Sequence, residues 1–190
     1  MNEGSAAVNL PGTVTVPEYL DGETRSEGRH EFSDGLVTAM AGASRRHERV
    51  SMNLSSRIFN HLRGQPCEVF KSDMKLRLEI YGRTFFLYPD IMVSCDPFDG
   101  DAQFLTAPKL IIEVLSDNEV RDRVEKFLMC QRIQTLEEYA VISQWTEKPE
   151  VTVFRRANGW EPGETHTAGE VTFESIGLTI RVKELYSDFQ

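Results

Sequence analysis

The chain has 190 residues, 40% of them hydrophobic and 27% charged, with a formal net charge of −9 at pH 7. That length suits one globular domain with a sizeable core, and no apolar run is long enough to span a bilayer. Residues 1–12 lack the basic start and apolar core of a signal peptide, and the acidic balance argues against tight nonspecific binding to nucleic acid.

Residues 1–14 are small and polar and are expected to be a flexible segment, which leaves 15–190 as the domain. Thr15 is placed to cap a short helix with Pro17 and Glu18 in its first turn. Residues 27–32 read as one or two helical turns with Glu31 near the end, followed by an Asp34-Gly35 turn and a short strand over 36–40. Ser44 then caps a long helix over 44–63. Val50, Leu54, Ile58 and Leu62 recur every four residues as its core face, and Gly64 ends it. Arg45, Arg46, Arg49, Arg57 and Arg63 cover much of its other surface, either as a solvated face or as a stripe facing phosphates. His47 lies in the first turn, where a structural or exposed histidine is the ordinary expectation.

Residues 67–78 read as one long strand, Gly82 as a hairpin turn, and 84–93 as the returning strand. Lys75 on the first strand either pairs across to a neighbour or points toward a cleft. Residues 97–106 form a polar connection. Its Asp96, Asp99 and Asp101 lack the closing glutamate of a calcium loop. A helix is expected over 118–134, with Val120, Val124, Phe127, Leu128 and Gln131 on one face and Asp122 four residues before Lys126. Strands follow over 138–143, 151–155, 169–175 and 178–182, with Lys148-Pro149 and Asn158-Gly159 in turns. Cys67, Cys95 and Cys130 are odd in number and lack metal spacing, so they read as reduced, mostly buried thiols of a cytoplasmic protein.

Two carboxylates stand out against this background. Glu113 interrupts the apolar run of 110–115, and Asp90 stands between Pro89 and the apolar Ile91-Met92-Val93. A carboxylate buried without a partner costs several kcal/mol or takes up a proton, so each needs a cation, a donor or a wet cleft. Proline cannot donate to a sheet ladder, so Pro89 marks a bulge or edge. The 23 positions between the two acids fit adjacent strands joined by a loop. Followed by Lys126 on a helix, they form a compact acidic site for a hard cation. Separate pairing of each acid with an arginine or a backbone amide is the alternative.

The series Tyr88-Pro89-Asp90-Ile91-Met92-Val93, Ile112-Glu113-Val114-Leu115-Ser116 and Glu125-Lys126-Phe127 resembles the Uma2 family of restriction-endonuclease-like proteins, within the PD-(D/E)xK nuclease superfamily. Arg29 to Gly35, Met40 to His47, Ser72 to Lys75 and Leu136 to Tyr139 carry the same resemblance, which spans about residues 15–185. It implies an α+β (α/β) fold with a mixed β-sheet flanked by helices. It also implies Asp90 and Glu113 as Mg²⁺ ligands, with Mn²⁺ as a substitute. Leu115 stands where the superfamily's usual lysine would be, and the resemblance implies that Lys126 supplies that lysine from the following helix. Glu31 matches an acid that the superfamily supplies from its first helix. Lys75, His47 and Gln131 are accessory candidates. Cys130 stands where the family commonly has tyrosine, and segment 117–120 is shorter than the pattern and lacks its proline.

The implied chemistry is Mg²⁺-dependent hydrolysis of DNA, with DNA held through a local basic face and a homodimer as the expected assembly. A binding or assembly module on the same fold, with a slow or inactive acidic cleft, is the alternative. No Gly-x-Ser-x-Gly elbow supports a metal-independent hydrolase.

Overall fold

Thr15 starts α1 (Val16–Arg25) through a reciprocal cap: its hydroxyl accepts from Glu18 N while the Glu18 carboxylate accepts from Thr15 N at 2.8 Å. The structure, a computed structural model, describes residues 13–97, 100, 102–115 and 120–187. The expectations for residues 1–12, for Asp99 and Asp101, for segment 116–119 and for the Asp122 side chain lie outside the described residues. Tyr19 anchors α1, its ring 5.0 Å from Phe32 and 5.1 Å from Phe86.

The expected helical turn over 27–32 is a strand instead. β1 (His30–Ser33) and β2 (Leu36–Ala39) form a hairpin, with Asp34 and Gly35 both at positive φ as the right-handed twist of a tight hairpin requires. Phe32 pairs with Phe86 across the sheet, and this long-range pairing overrides the weak helical preference of so short a segment. Glu31 is therefore presented from a strand.

α2 (Arg45–Leu62) follows the sequence closely. The Ser44 hydroxyl accepts from His47 N at 3.1 Å, and Val50, Leu54, Ile58 and Leu62 are buried. Burying each such side chain contributes roughly 1.5–3 kcal/mol.

The strand expected over 67–78 is two strands, β3 (Glu68–Lys71) and β4 (Lys75–Ile80), and they belong to different sheets. Ser72, at φ 52°, turns the chain between them. The return is also split, into β5 (Arg83–Leu87) and β6 (Ile91–Ser94), at Tyr88-Pro89-Asp90. The chain thus crosses from one sheet to the other and back within a single hairpin.

The rest comprises β7 (Phe104–Leu105), β8 (Pro108–Leu115), α3 (Val120–Cys130), β9 (Glu138–Ser143), β10 (Val151–Arg155), β11 (Pro162–His166), β12 (Glu170–Phe173), β13 (Leu178–Arg181) and α4 (Val182–Leu185). A five-stranded sheet runs β2-β1-β5-β4-β7, and a six-stranded sheet runs β11-β10-β9-β8-β6-β3. β8 and β9 are parallel within an otherwise antiparallel sheet, so the architecture is the expected mixed sheet flanked by helices.

Alternation along β8 sorts its side chains. Leu110, Ile112 and Val114 join the cluster under α2 and the β12–β13 hairpin, while Ile111 joins the cluster shared with β4, β5 and Cys130. On α3 the buried face is carried by Cys130 with partly buried Phe127. Val124 and Leu128, expected on one face with Phe127, are 55% and 54% exposed.

Two of the expected free thiols are joined: Cys67 and Cys95, flanking the antiparallel β3–β6 pair, form a disulfide, and only Cys130 is a buried free cysteine. This corrects the reading of three reduced thiols and removes the cysteine support for a cytoplasmic setting. No helix among the described residues is long and apolar enough to cross a membrane.

Candidate active site

Asp90 stands immediately before β6, after Pro89, and Glu113 lies on the neighbouring β8, where Ile91 pairs with Ile112. The register sets the two acids side by side, and Asp90 N donates to Glu113 Oε2 at 3.4 Å. Asp90 Oδ2 accepts from Val114 N at 2.8 Å and lies 3.0 Å from His47 Nε2. Asp90 O accepts from Ser72 N at 3.0 Å, which ties the turn between β3 and β4 to the site.

From the five-stranded sheet comes Glu31, and from α3 comes Lys126, joined to it by a 2.7 Å contact from Nζ to Oε1. Burial, then the Asp90 carboxylate, pushes the Glu113 carboxyl well above the usual carboxylate range. Lys126 and the Asp90 N–H pull the other way, and Glu31 adds to the push. Lys126 and Glu31 are therefore close enough to be felt at Glu113, although they pair with each other. Beneath them, burial and then Glu113 raise the Cys130 thiol, which makes it a packing residue rather than a nucleophile.

The other candidates divide. His47 is drawn into the site through Asp90. Lys75 is not: its Nζ lies 5.6 Å from the Tyr88 ring and 3.5 Å from Gln103 O. Gln131 follows α3, its carbonyl accepting from Arg156, and no hydrogen bond joins its side chain to the carboxylates. The arginine stripe on α2 is also divided, because Arg57 pairs with Glu184 at 3.0 Å. Arg45 and Arg46 are exposed next to His47, with Arg46 4.5 Å from the Trp145 ring centroid.

One support went unseen in the sequence. Glu23 on α1, its side chain 5% exposed, accepts from Tyr88 O–H at 2.5 Å and lies 2.8 Å from His30 Nδ1. It braces the turn that delivers Asp90. The available signal was its place on the apolar side of α1, one helical turn after Tyr19.

Among the described residues, no three His, Cys, Asp or Glu side chains stand together as a ready metal cage. Asp90 and Glu113 offer two hard oxygen donors instead. The raised Glu113 marks a carboxylate pair whose repulsion a cation would relieve, so the donor set fits a hard divalent ion held with several waters.

The Uma2 family, described as "Putative restriction endonuclease", matches residues 16–182. The chain belongs to this family. It is 34% identical over 175 residues to the uncharacterized protein slr1290 of Synechocystis sp., covering 91% of each chain. It is 35% identical over 141 residues to sll1609 of the same organism, covering 72% of this chain and 78% of that one. A crystal structure of a putative nuclease belonging to DUF820 from Anabaena variabilis superposes with a TM-score of 0.69 at 22% identity, covering 89% of this chain and 97% of that one. At that identity the likeness supports the fold, and the Uma2 match supports a nuclease-like role.

Proposed function

We propose that this Uma2 chain is a metal-dependent endonuclease that hydrolyses phosphodiester bonds of DNA. The observation that carries the reading is the meeting of Asp90 and Glu113 on adjacent strands, with Lys126 and Glu31 close enough to act on Glu113. Asp90 and Glu113 would hold Mg²⁺, with Mn²⁺ able to replace it. Such an ion, when bound, neutralises charge on the scissile phosphate and lowers the pKa of a coordinated water. Glu113 would serve as a ligand in its carboxylate form, which burial and the Asp90 carboxylate disfavour until a cation is bound. Lys126 offers its ammonium to the phosphate or to the attacking water. Glu31 pairs with Lys126 at 2.7 Å and would add a ligand to the ion, directly or through water. Arg45 and Arg46 supply the local basic face for a DNA strand passing the site. A homodimer, which would bring one site to each strand, and a cytoplasmic setting go with this reading.

The test is calorimetry with Mg²⁺ and Mn²⁺ on wild type and on Asp90→Ala with Glu113→Ala, alongside supercoiled plasmid with and without metal. The reading requires that wild type bind metal and nick the plasmid while the double variant does neither. An intact plasmid and no metal binding at millimolar concentration would overturn it. A binding or assembly module on the same fold is the second reading, favoured by the net charge of −9 and by the preference of Glu113 for its neutral form. A salt-insensitive complex with another protein would support that module.

A further inference from the structure

Every polar atom of Asp90 but one is engaged among the described residues. Its N–H reaches Glu113, its carbonyl takes Ser72 N, and Oδ2 takes Val114 N at 2.8 Å with His47 Nε2 at 3.0 Å. Oδ1 makes no hydrogen bond to a described residue, and the Asp90 side chain is 18% exposed. His47 comes from the first turn of α2, whose turn is fixed by the Ser44 cap, and its ring is 11% exposed.

We propose that His47 is a positioning residue: it donates Nε2–H to Asp90 Oδ2 and leaves Oδ1 as the single oxygen that Asp90 offers to a cation. A carboxylate that serves as a metal ligand can only accept, so in that role the 3.0 Å contact places the proton on Nε2. With Oδ2 held from two sides, Asp90 cannot swing to present both oxygens at once. A one-oxygen ligand suits the small, near-octahedral Mg²⁺ and Mn²⁺. Ca²⁺ accepts two-oxygen carboxylates in larger, more flexible shells. His47 thereby selects the metal as well as orienting its ligand. The metal consequence rests on the function proposed above, whereas the hydrogen bond does not.

The experiment has a metal-free arm and a metal arm. Long-range ¹H–¹⁵N spectra of protein labelled at histidine nitrogen, recorded without metal, should show His47 protonated at Nε2, with that signal displaced in Asp90→Asn. A His47 ring bare at Nε2, or unmoved by Asp90→Asn, overturns the proposal. In calorimetry, His47→Ala should lose roughly 10- to 100-fold in Mg²⁺ affinity. It should lose less for Ca²⁺, so the Ca²⁺/Mg²⁺ ratio rises. His47→Gln, which returns a donor near Nε2, should recover most of the loss and guards against a misfolded alanine variant. Unchanged affinities in His47→Ala, or His47→Gln as impaired as a folded His47→Ala, overturn it. Wild type that binds neither Mg²⁺ nor Mn²⁺ sinks the nuclease reading, and the spectra still decide whether His47 holds Asp90.

Discussion

Glu113 and Glu138 sit on neighbouring parallel strands of one sheet, and they have been treated in opposite ways. Glu138 is 2% exposed in its side chain and is saturated. It accepts from Arg155 Nε at 2.9 Å, Glu174 N at 3.0 Å, Ser175 N at 2.8 Å and Ser175 Oγ at 2.5 Å. Glu113 is half-buried, yet its one described hydrogen bond is the 3.4 Å contact from Asp90 N, and another carboxylate stands beside it. The first acid is a staple between β9 and the turn after β12. The second is kept uncomfortable. A buried carboxylate with a full set of donors is structure, and one held beside its like is a place waiting for a positive charge.

The largest effect is expected at the Glu138 staple. Glu138→Ala leaves Arg155 and two backbone N–H groups without their acceptor, and should cost about 3–5 kcal/mol in chemical denaturation. A loss below about 1 kcal/mol would mean that the four bonds to Glu138 are easily replaced by water. Glu113→Gln should do the reverse, raising stability by about 1 kcal/mol in the metal-free protein while abolishing metal binding in calorimetry. A destabilised Glu113→Gln would place Glu113 among the structural acids.

Glu113 should also make stability depend on pH. The folded-state pKa of Glu113 is raised above its unfolded value near 4.5, so the native state holds this proton more tightly. That contribution is fully present below about pH 4.5 and is lost as pH rises through the raised folded value. The stability of Glu113→Gln minus that of wild type should therefore grow with pH across this window, measured by urea titration at successive pH values. A flat difference would count against the raised pKa. The smallest effect belongs to Glu31→Gln. It weakens a partly exposed ion pair and should shift stability by less than about 1 kcal/mol. It should nonetheless change metal affinity measurably, because Lys126 loses its 2.7 Å contact with the Glu31 carboxylate.

Much of the site was legible because charge in an apolar run is a loud signal. Glu113 inside 110–115 and Asp90 after Pro89 announced themselves, and the α2 face from Val50 to Leu62 followed from spacing alone. The breaks at Ser72 and at Tyr88-Pro89-Asp90 were harder. Alternation continues across residues 67–78, so nothing local says that the strand changes sheets. Glu31 was misplaced for a related reason, since its strand exists through pairing of Phe32 with Phe86, 54 positions away in sequence. The cysteine pair depends on the β3–β6 register, which no residue count supplies. On α3, Val124 and Leu128 share the helical spacing of core residues, and only the packing of Cys130 and Phe127 against the sheets decides which face turns inward.

The double crossing between sheets has a kinetic consequence. Asp90 and Glu113 belong to the six-stranded sheet, Glu31 belongs to the five-stranded one, and its partner Lys126 is 95 positions further along the chain. Neither half of the molecule can assemble the constellation alone, and the long loops involved delay its closure. During folding, the acidic cleft comes into being only when the two sheets dock. A partly folded chain therefore lacks the meeting of Asp90 and Glu113 with Glu31 and Lys126 until the fold is complete.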